Sequence, residues 1–256
     1  MNRNQLKIID LSVPLDSEAK EPFPPQISYS EHKEGAEQAA QLLGLKAEDF
    51  PDGEAWAVET ITLSTHTGTH VDAPWHYASK TNGERSRTID ELPLEWFYGH
   101  GVLFDFSMKA EGYEIQIEDL ENQLKEMNYE LKPYDIVLIR TDADKKYYQE
   151  NYASVHAGVS ADATKWLMSK GIKVMGTDGW GWDIPLYLQA KDYLQNPREG
   201  VLWAAHFAGK EQEYCQIEKL ANLDQLPQRF GFKVAVFPVK IKGASGGWAR
   251  PVAIFD

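Results

Sequence analysis

Apolar positions along the chain follow two rhythms. Short runs rich in β-branched residues recur at Lys7 to Leu11, Val58 to Leu63, Gly101 to Phe106, Asp135 to Arg140, Ile172 to Met175, Phe232 to Val239 and Val252 to Phe255. They predict strands, and Val201 to Ala205 predicts a further one that reaches His206. Helical spacing puts Leu120, Leu124 and Met127 on one face of a helix over 117–127. Ser160 is an N-cap for a helix through Lys170 that Gly171 ends, and Gly44 ends a short helix over 36–43. Residues 17–55 read as a surface excursion, 83–88 as a polar loop, and 213–220 as mixed. Strands and helices alternate without repeat or linker. The pattern predicts one α/β domain over 1–256 with a mixed rather than wholly parallel sheet.

Composition narrows the function. The formal net charge of -13 repels phosphate backbones and anionic membranes, which argues against nucleic-acid and membrane partners. An anionic substrate stays possible, because a bound metal reverses the local sign. Cys215 is the only cysteine, so no intrachain disulfide can form. Met1 to Lys7 has no apolar leader, and no apolar run approaches the roughly 20 residues of a membrane span. A cytoplasmic protein is expected.

The chemistry concentrates in residues 66–76, HTGTHVDAPWH, which hold three of the seven histidines. His66, His70, Asp72 and His76 share one parity, so an extended strand turns them to one face. Fully extended, the segment would span about 33 Å, so a single site needs a bend. Gly68 permits a bend and Pro74 fixes one; both argue against a helix. A strand ending in a tight loop is expected. Imidazole and carboxylate donors suit zinc, manganese or iron. The alternative is a polar loop whose histidines cap turns.

Other candidates are weaker. His206 follows an apolar run, with Glu218 twelve residues later. Asp178 and Asp183 lie in a glycine-rich loop that either lines a site or merely turns. Residues 243–247, GASGG, match the G-x-S-x-G serine-hydrolase pattern. That pattern needs a following helix, and here Pro251 leads into a strand, so the match reads as accidental. Cys215 lies in an acidic stretch unsuited to a nucleophile. His32, His100 and His156 read as structural.

The signature over 66–76 resembles the H-x-G-T-H-x-D-x-P-x-H motif of the cyclase-like metal-dependent hydrolases, which include bacterial kynurenine formamidases and isatin hydrolases. DLSVPL over 10–15, GTD over 176–178, His206 with Glu218, and GGWARPV over 246–252 resemble further family segments. The resemblance implies a swivelling β/β/α fold, usually dimeric, so a homo-oligomer (dimer or dimer of dimers) is expected. It implies one or two zinc or manganese ions. His66, His70 and Asp72 would hold the first, and Asp72 would bridge to a second held by His206 and Glu218. His76 would be the acid/base. Tyr77 stands where phenylalanine is commoner in that family, and 17–55 and 180–200 look expanded.

The resulting expectation is a metal-dependent hydrolase of an amide C–N bond, arylformamidase-like, with a small-molecule amide or lactam as substrate. The rival within enzymes is a ring-opening lactam or lactone hydrolase or cyclase. The rival outside them is a non-catalytic metal- or ligand-binding protein, against which the spare His76 speaks. Trp180 and Trp182 are expected to stack on an aromatic substrate, with Trp75, Tyr77 and Asp178 as further candidate contacts.

Overall fold

The computed structural model describes residues 6–255. Met1 to Gln5, most of the stretch read for the absence of a leader, and Asp256 lie outside it. A nine-stranded mixed sheet runs Lys7–Asp10, Val252–Phe255, Phe232–Ala235, Tyr98–Asp105, Ile136–Arg140, Val174–Thr177, Cys215–Glu218, His70–Asp72 and Gly246–Trp248. The four strands from Tyr98–Asp105 to Cys215–Glu218 are parallel, and both flanks are antiparallel. This is the mixed α/β fold that the pattern predicts.

The central strands are buried on both faces, which is why Ile136–Arg140 is apolar almost throughout. The pleat sends alternate residues to two cores. Val102, Phe104, Val137, Ile139 and Met175 meet the helices Ile117–Met127 and Ala161–Ser169 through Leu120, Leu167 and Met168. Leu103, Ile136, Leu138, Val174 and Ile217 meet Ile89, Trp96, Phe97 and Leu223. Ser160 caps its helix as expected, accepting from the Ala163 N–H at 3.1 Å.

The structure departs from the sequence pattern, or adds to it, in four places. The first helix starts earlier, at His32, with reciprocal capping between Glu31 and Glu34. Val58–Thr62 is a strand, but it pairs only with Gln26–Ser30, in a two-stranded ribbon outside the main sheet. Residues 201–205 form no strand: Trp203 takes a left-handed conformation (φ 57°) and starts a helical turn, Ala204–Phe207. The 180–200 tract contains the helix Leu186–Gln195. Among the described residues no helix is long and apolar enough to cross a membrane.

Candidate metal centre and its cavity

The site sits where the sheet turns from parallel to antiparallel, at the carboxyl end of Cys215–Glu218. In open α/β sheets ligands favour the carboxyl ends of the parallel strands. His70–Asp72 is wedged between Cys215–Glu218 and Gly246–Trp248, with His70 opposite both Glu218 and Trp248. The pleat puts His70 and Asp72 on one face and sends Val71 into the core. Gly68, at φ +63°, folds the chain back so that His66 joins them. His76 arrives differently from the expected loop: it lies on a helical turn, Pro74–Tyr77, whose first residue is the proline. At that position a proline's missing N–H costs nothing and its fixed φ starts a helix.

The donor atoms converge. His66 Nδ1 lies 2.7 Å from Asp72 Oδ1, and His70 Nε2 lies 3.1 Å from the same oxygen. His76 Nε2 is 3.9 Å from Asp72 Oδ2. His206 Nε2 is 4.0 Å from Asp72 Oδ2 and 3.5 Å from Glu218 Oε1. Among the described residues three groups have all donor atoms within 4.8 Å of one another, two of them here: His66, Asp72 and His76, and His70, Asp72 and Glu218; the third, Asp142, Asp144 and Asp178, holds no histidine. The grouping differs from the ligand sets that the resemblance implies, but Asp72 is shared in both.

The donor set fits a cation. His70 donates Nδ1–H to the Gly68 carbonyl at 2.8 Å, which leaves its Nε2 bare. His70 Nε2 and Asp72 Oδ2 are both buried without a hydrogen-bond partner, an arrangement that normally costs about 1–3 kcal/mol per group. Burial opposes ionisation of Asp72, yet the nearby imidazoles of His76 and His70 hold its carboxyl well below the usual range. Burial likewise disfavours a charged His206, yet Asp183 and Glu218 outweigh it and push that imidazole up to about 10. The carboxylates thus demand positive charge at this point.

Asp183 orders the distal half. Its carboxylate accepts from the backbone N–H groups of Ala205 at 2.8 Å and His206 at 3.2 Å, and from His206 Nδ1 at 2.5 Å. This fixes the tautomer and aims Nε2 at Glu218. Carboxylates in that position typically contribute 10–100-fold to metal affinity. Asp183→Asn is therefore expected to weaken zinc binding by about that factor, read by competition with a chelating dye. Unchanged affinity would remove Asp183 from the site.

Beside the donors lies a cavity of about 270 Å³, with Phe23, Trp180, Ile184, Leu186 and Trp203 among its walls and His66, His76, His206, Glu218 and Lys219 at its polar end. Trp203 stacks on His206, with ring centroids 4.4 Å apart at 13°, and meets His76 edge-on at 5.1 Å.

Of the expected substrate contacts, only Trp180 lines this cavity. Trp182 is in the core, its indole N–H bonded to Thr164 Oγ1 at 2.9 Å; only its backbone N–H reaches Glu218. Trp75 points outward beneath Arg85. Tyr77 is buried behind Asp72, donating to the Asp72 carbonyl and accepting from the Gln216 N–H. Asp178 ties two loops together through Thr141 and Asp142, and burial pushes its carboxyl up to about 7.

Several site residues escape the sequence reading. Trp203 precedes His206 by three residues, the one signal available for it. Glu21 and Lys219 form a buried ion pair; Lys219 also donates to the His66 carbonyl at 2.7 Å. His156 lines the cavity rather than standing apart from it. Ser245, set aside with its motif, places its Oγ 2.9 Å from His66 Nε2.

The Cyclase family profile matches residues 9–184 of the chain. The chain belongs to the cyclase family. It is 26% identical to a kynurenine formamidase of Erythrobacter litoralis over 201 residues, 78% of each protein. It is 27% identical to an isatin hydrolase of Roseibium aggregatum over 212 residues, 79% of this chain and 76% of that one. The structure of isatin hydrolase A from Labrenzia aggregata, solved with benzyl benzoate, superposes with a TM-score of 0.75 at 25% identity, covering 100% of this chain and 96% of that one.

Proposed function

We propose that this cyclase is a metal-dependent hydrolase of a small-molecule amide C–N bond, in the manner of an arylformamidase. The observation that carries the reading is the pair of bare buried donors, His70 Nε2 and Asp72 Oδ2, lying directly behind the histidines and Glu218 that form the polar end of an apolar-walled cavity. His66, His70, Asp72, His206 and Glu218 would hold one or two divalent ions, Zn²⁺ or Mn²⁺. When bound, such an ion supplies Lewis-acid chemistry and favours ionisation of water near neutral pH.

The chain's own groups do the rest. His76 faces Asp72 from a separate helical turn and is the acid/base: its Nε2 takes a proton from water and returns it to the leaving amine. Trp203 and Trp180 wall the cavity, exclude water and offer ring faces to an aromatic leaving group. Trp203→Ala is expected to raise KM for an aryl amide by about tenfold or more once lost contact area is counted. A small aliphatic formamide should be affected far less. Equal losses on both would make Trp203 a support for His206 alone.

A ring-opening lactam hydrolase is the second reading, favoured by the isatin hydrolase structure that superposes over the whole chain. Metal analysis of purified protein, with turnover of N-formylkynurenine and isatin measured side by side, decides between them. Bound metal without turnover of any amide or lactam would sink both and leave a binding protein. The reading includes self-association. The ribbon Gln26–Ser30 with Val58–Thr62 has neither strand packed into the core, and Tyr29, Val58 and Ile61 stand exposed. Isolated two-stranded ribbons are marginal without further cover. Sedimentation at twice the chain mass is the expected result, and a monomer at all concentrations would refute it.

A further inference from the structure

The His66 ring is held on several sides and opens to the cavity on another. The imidazole lies against the backbone of Gly246, where a Cβ would come 2.8 Å from its Cε1. It lies against the His76 ring, with centroids 4.1 Å apart and the planes tilted by 31°. Its Nδ1 faces Asp72 Oδ1 at 2.7 Å and its Nε2 faces Ser245 Oγ at 2.9 Å. Ser245 is in turn fixed from behind: its carbonyl accepts from the Ala73 N–H at 2.8 Å, and Gly246, the next residue, is paired with Asp72.

Serine, histidine and carboxylate in this order also describe a nucleophile with its base and orienter. The local chain argues otherwise. A serine nucleophile of the G-x-S-x-G type sits on a sharp turn between a strand and a helix, whereas Ser245 leads directly into the edge strand Gly246–Trp248. The nitrogen a nucleophile would need as its base is Nε2. The other nitrogen, Nδ1, lies 2.7 Å from Asp72 Oδ1, the carboxylate shared by both donor groups.

We propose that Ser245 is a positioning residue for metal binding: its hydroxyl decides which nitrogen of His66 carries the proton and so presents Nδ1 to the ion. This rests on the metal reading above. A hydroxyl can donate or accept, and the site uses both. Without metal, the His66 proton sits on Nδ1 and is shared with Asp72, while Ser245 donates to Nε2. With metal, the proton sits on Nε2 and Ser245 accepts it. One proton moves between the ring nitrogens through solvent with no net gain or loss.

Zinc alone is the probe. Dye competition is expected to show Zn²⁺ held about 10–100-fold more weakly by Ser245→Ala than by wild type. Ser245→Thr, which keeps the hydroxyl, should restore most of the affinity. Histidine-selective ¹⁵N spectra of the wild type should show the His66 proton on Nδ1 without zinc and on Nε2 with it. Wild-type affinity in Ser245→Ala, or a proton on the same nitrogen in both states, would overturn the assignment to Ser245 while leaving the metal site intact. A wild type that binds no zinc would instead defeat the reading of the site itself. A serine-directed fluorophosphonate should leave Ser245 unmodified. An adduct there would make it a nucleophile and refute the positioning role.

Discussion

His76→Ala is expected to keep its metal and lose about 100- to 10,000-fold in kcat, the usual contribution of a placed general acid/base. The variant leaves His66, His70, Asp72, His206 and Glu218 in place, so the donors needed for an ion remain. Burial is the main influence on His76 and lowers its pKa from the ordinary 6.5; Asp72 opposes the shift, while His66 and His206 add to it. His76 is thus neutral at pH 7 and can accept a proton. The sign follows: wild-type activity falls as the pH drops through that lowered pKa, because the base becomes protonated. In His76→Ala this acidic limb should vanish. His76 also lies in a donor group with His66 and Asp72, so metal content must be measured alongside rate. Loss of metal in proportion to activity would make His76 a ligand and move the base elsewhere.

Lys219→Met is expected to destabilise the fold by about 3–5 kcal/mol, the cost of leaving a buried charge without its partner. The side chains of Glu21 and Lys219 are only 2% and 3% exposed. Glu21 also accepts from the Gly68 N–H and the Tyr147 hydroxyl, each at 2.9 Å. The pair therefore ties the N-terminal excursion to the bend that carries His66. For a chain of this size the loss corresponds to roughly 6–20 °C in Tm. Glu21→Gln should cost less than Lys219→Met, because its amide still accepts from both donors. The double variant should be more stable than Lys219→Met alone, since no charge is then stranded. Urea unfolding of all three checks this. A Lys219→Met loss below about 1 kcal/mol would show the charge reaching water.

What could be seen in the sequence was what neighbours in sequence decide. The shared parity of His70 and Asp72 is a property of three consecutive residues in a strand, and the structure keeps it. Ser160 and Gly171 bound their helix through local hydrogen bonds and local dihedrals. Pro74 misled because the same residue ends a helix from inside and begins one at its first turn. Trp182 and Trp203 could not be ranked from their own surroundings: Thr164 draws one indole into the core, while a left-handed backbone turns the other onto His206. Glu21 and Lys219 are 198 residues apart, and neither carries a mark that names the other. Ser245 was hidden by its own motif, whose nucleophile reading failed on the following strand while the serine's position beside His66 went unread.

The wedged position of His70–Asp72 has a consequence for the order in which the chain folds. Glu218, its partner on one side, is 148 residues further along, and Trp248, on the other, is 178. During synthesis at about 5–20 residues per second, the histidine-rich segment emerges many seconds before either strand that will flank it. Contacts of such long range form late, because loop closure must be paid first. His66, Asp72 and His76 are together within eleven residues from the start, whereas His206 and Glu218 arrive only with the last third of the chain. A metal ion offered to the unfolded chain would therefore meet half of the candidate site, and the full donor set would form only when the C-terminal strands dock.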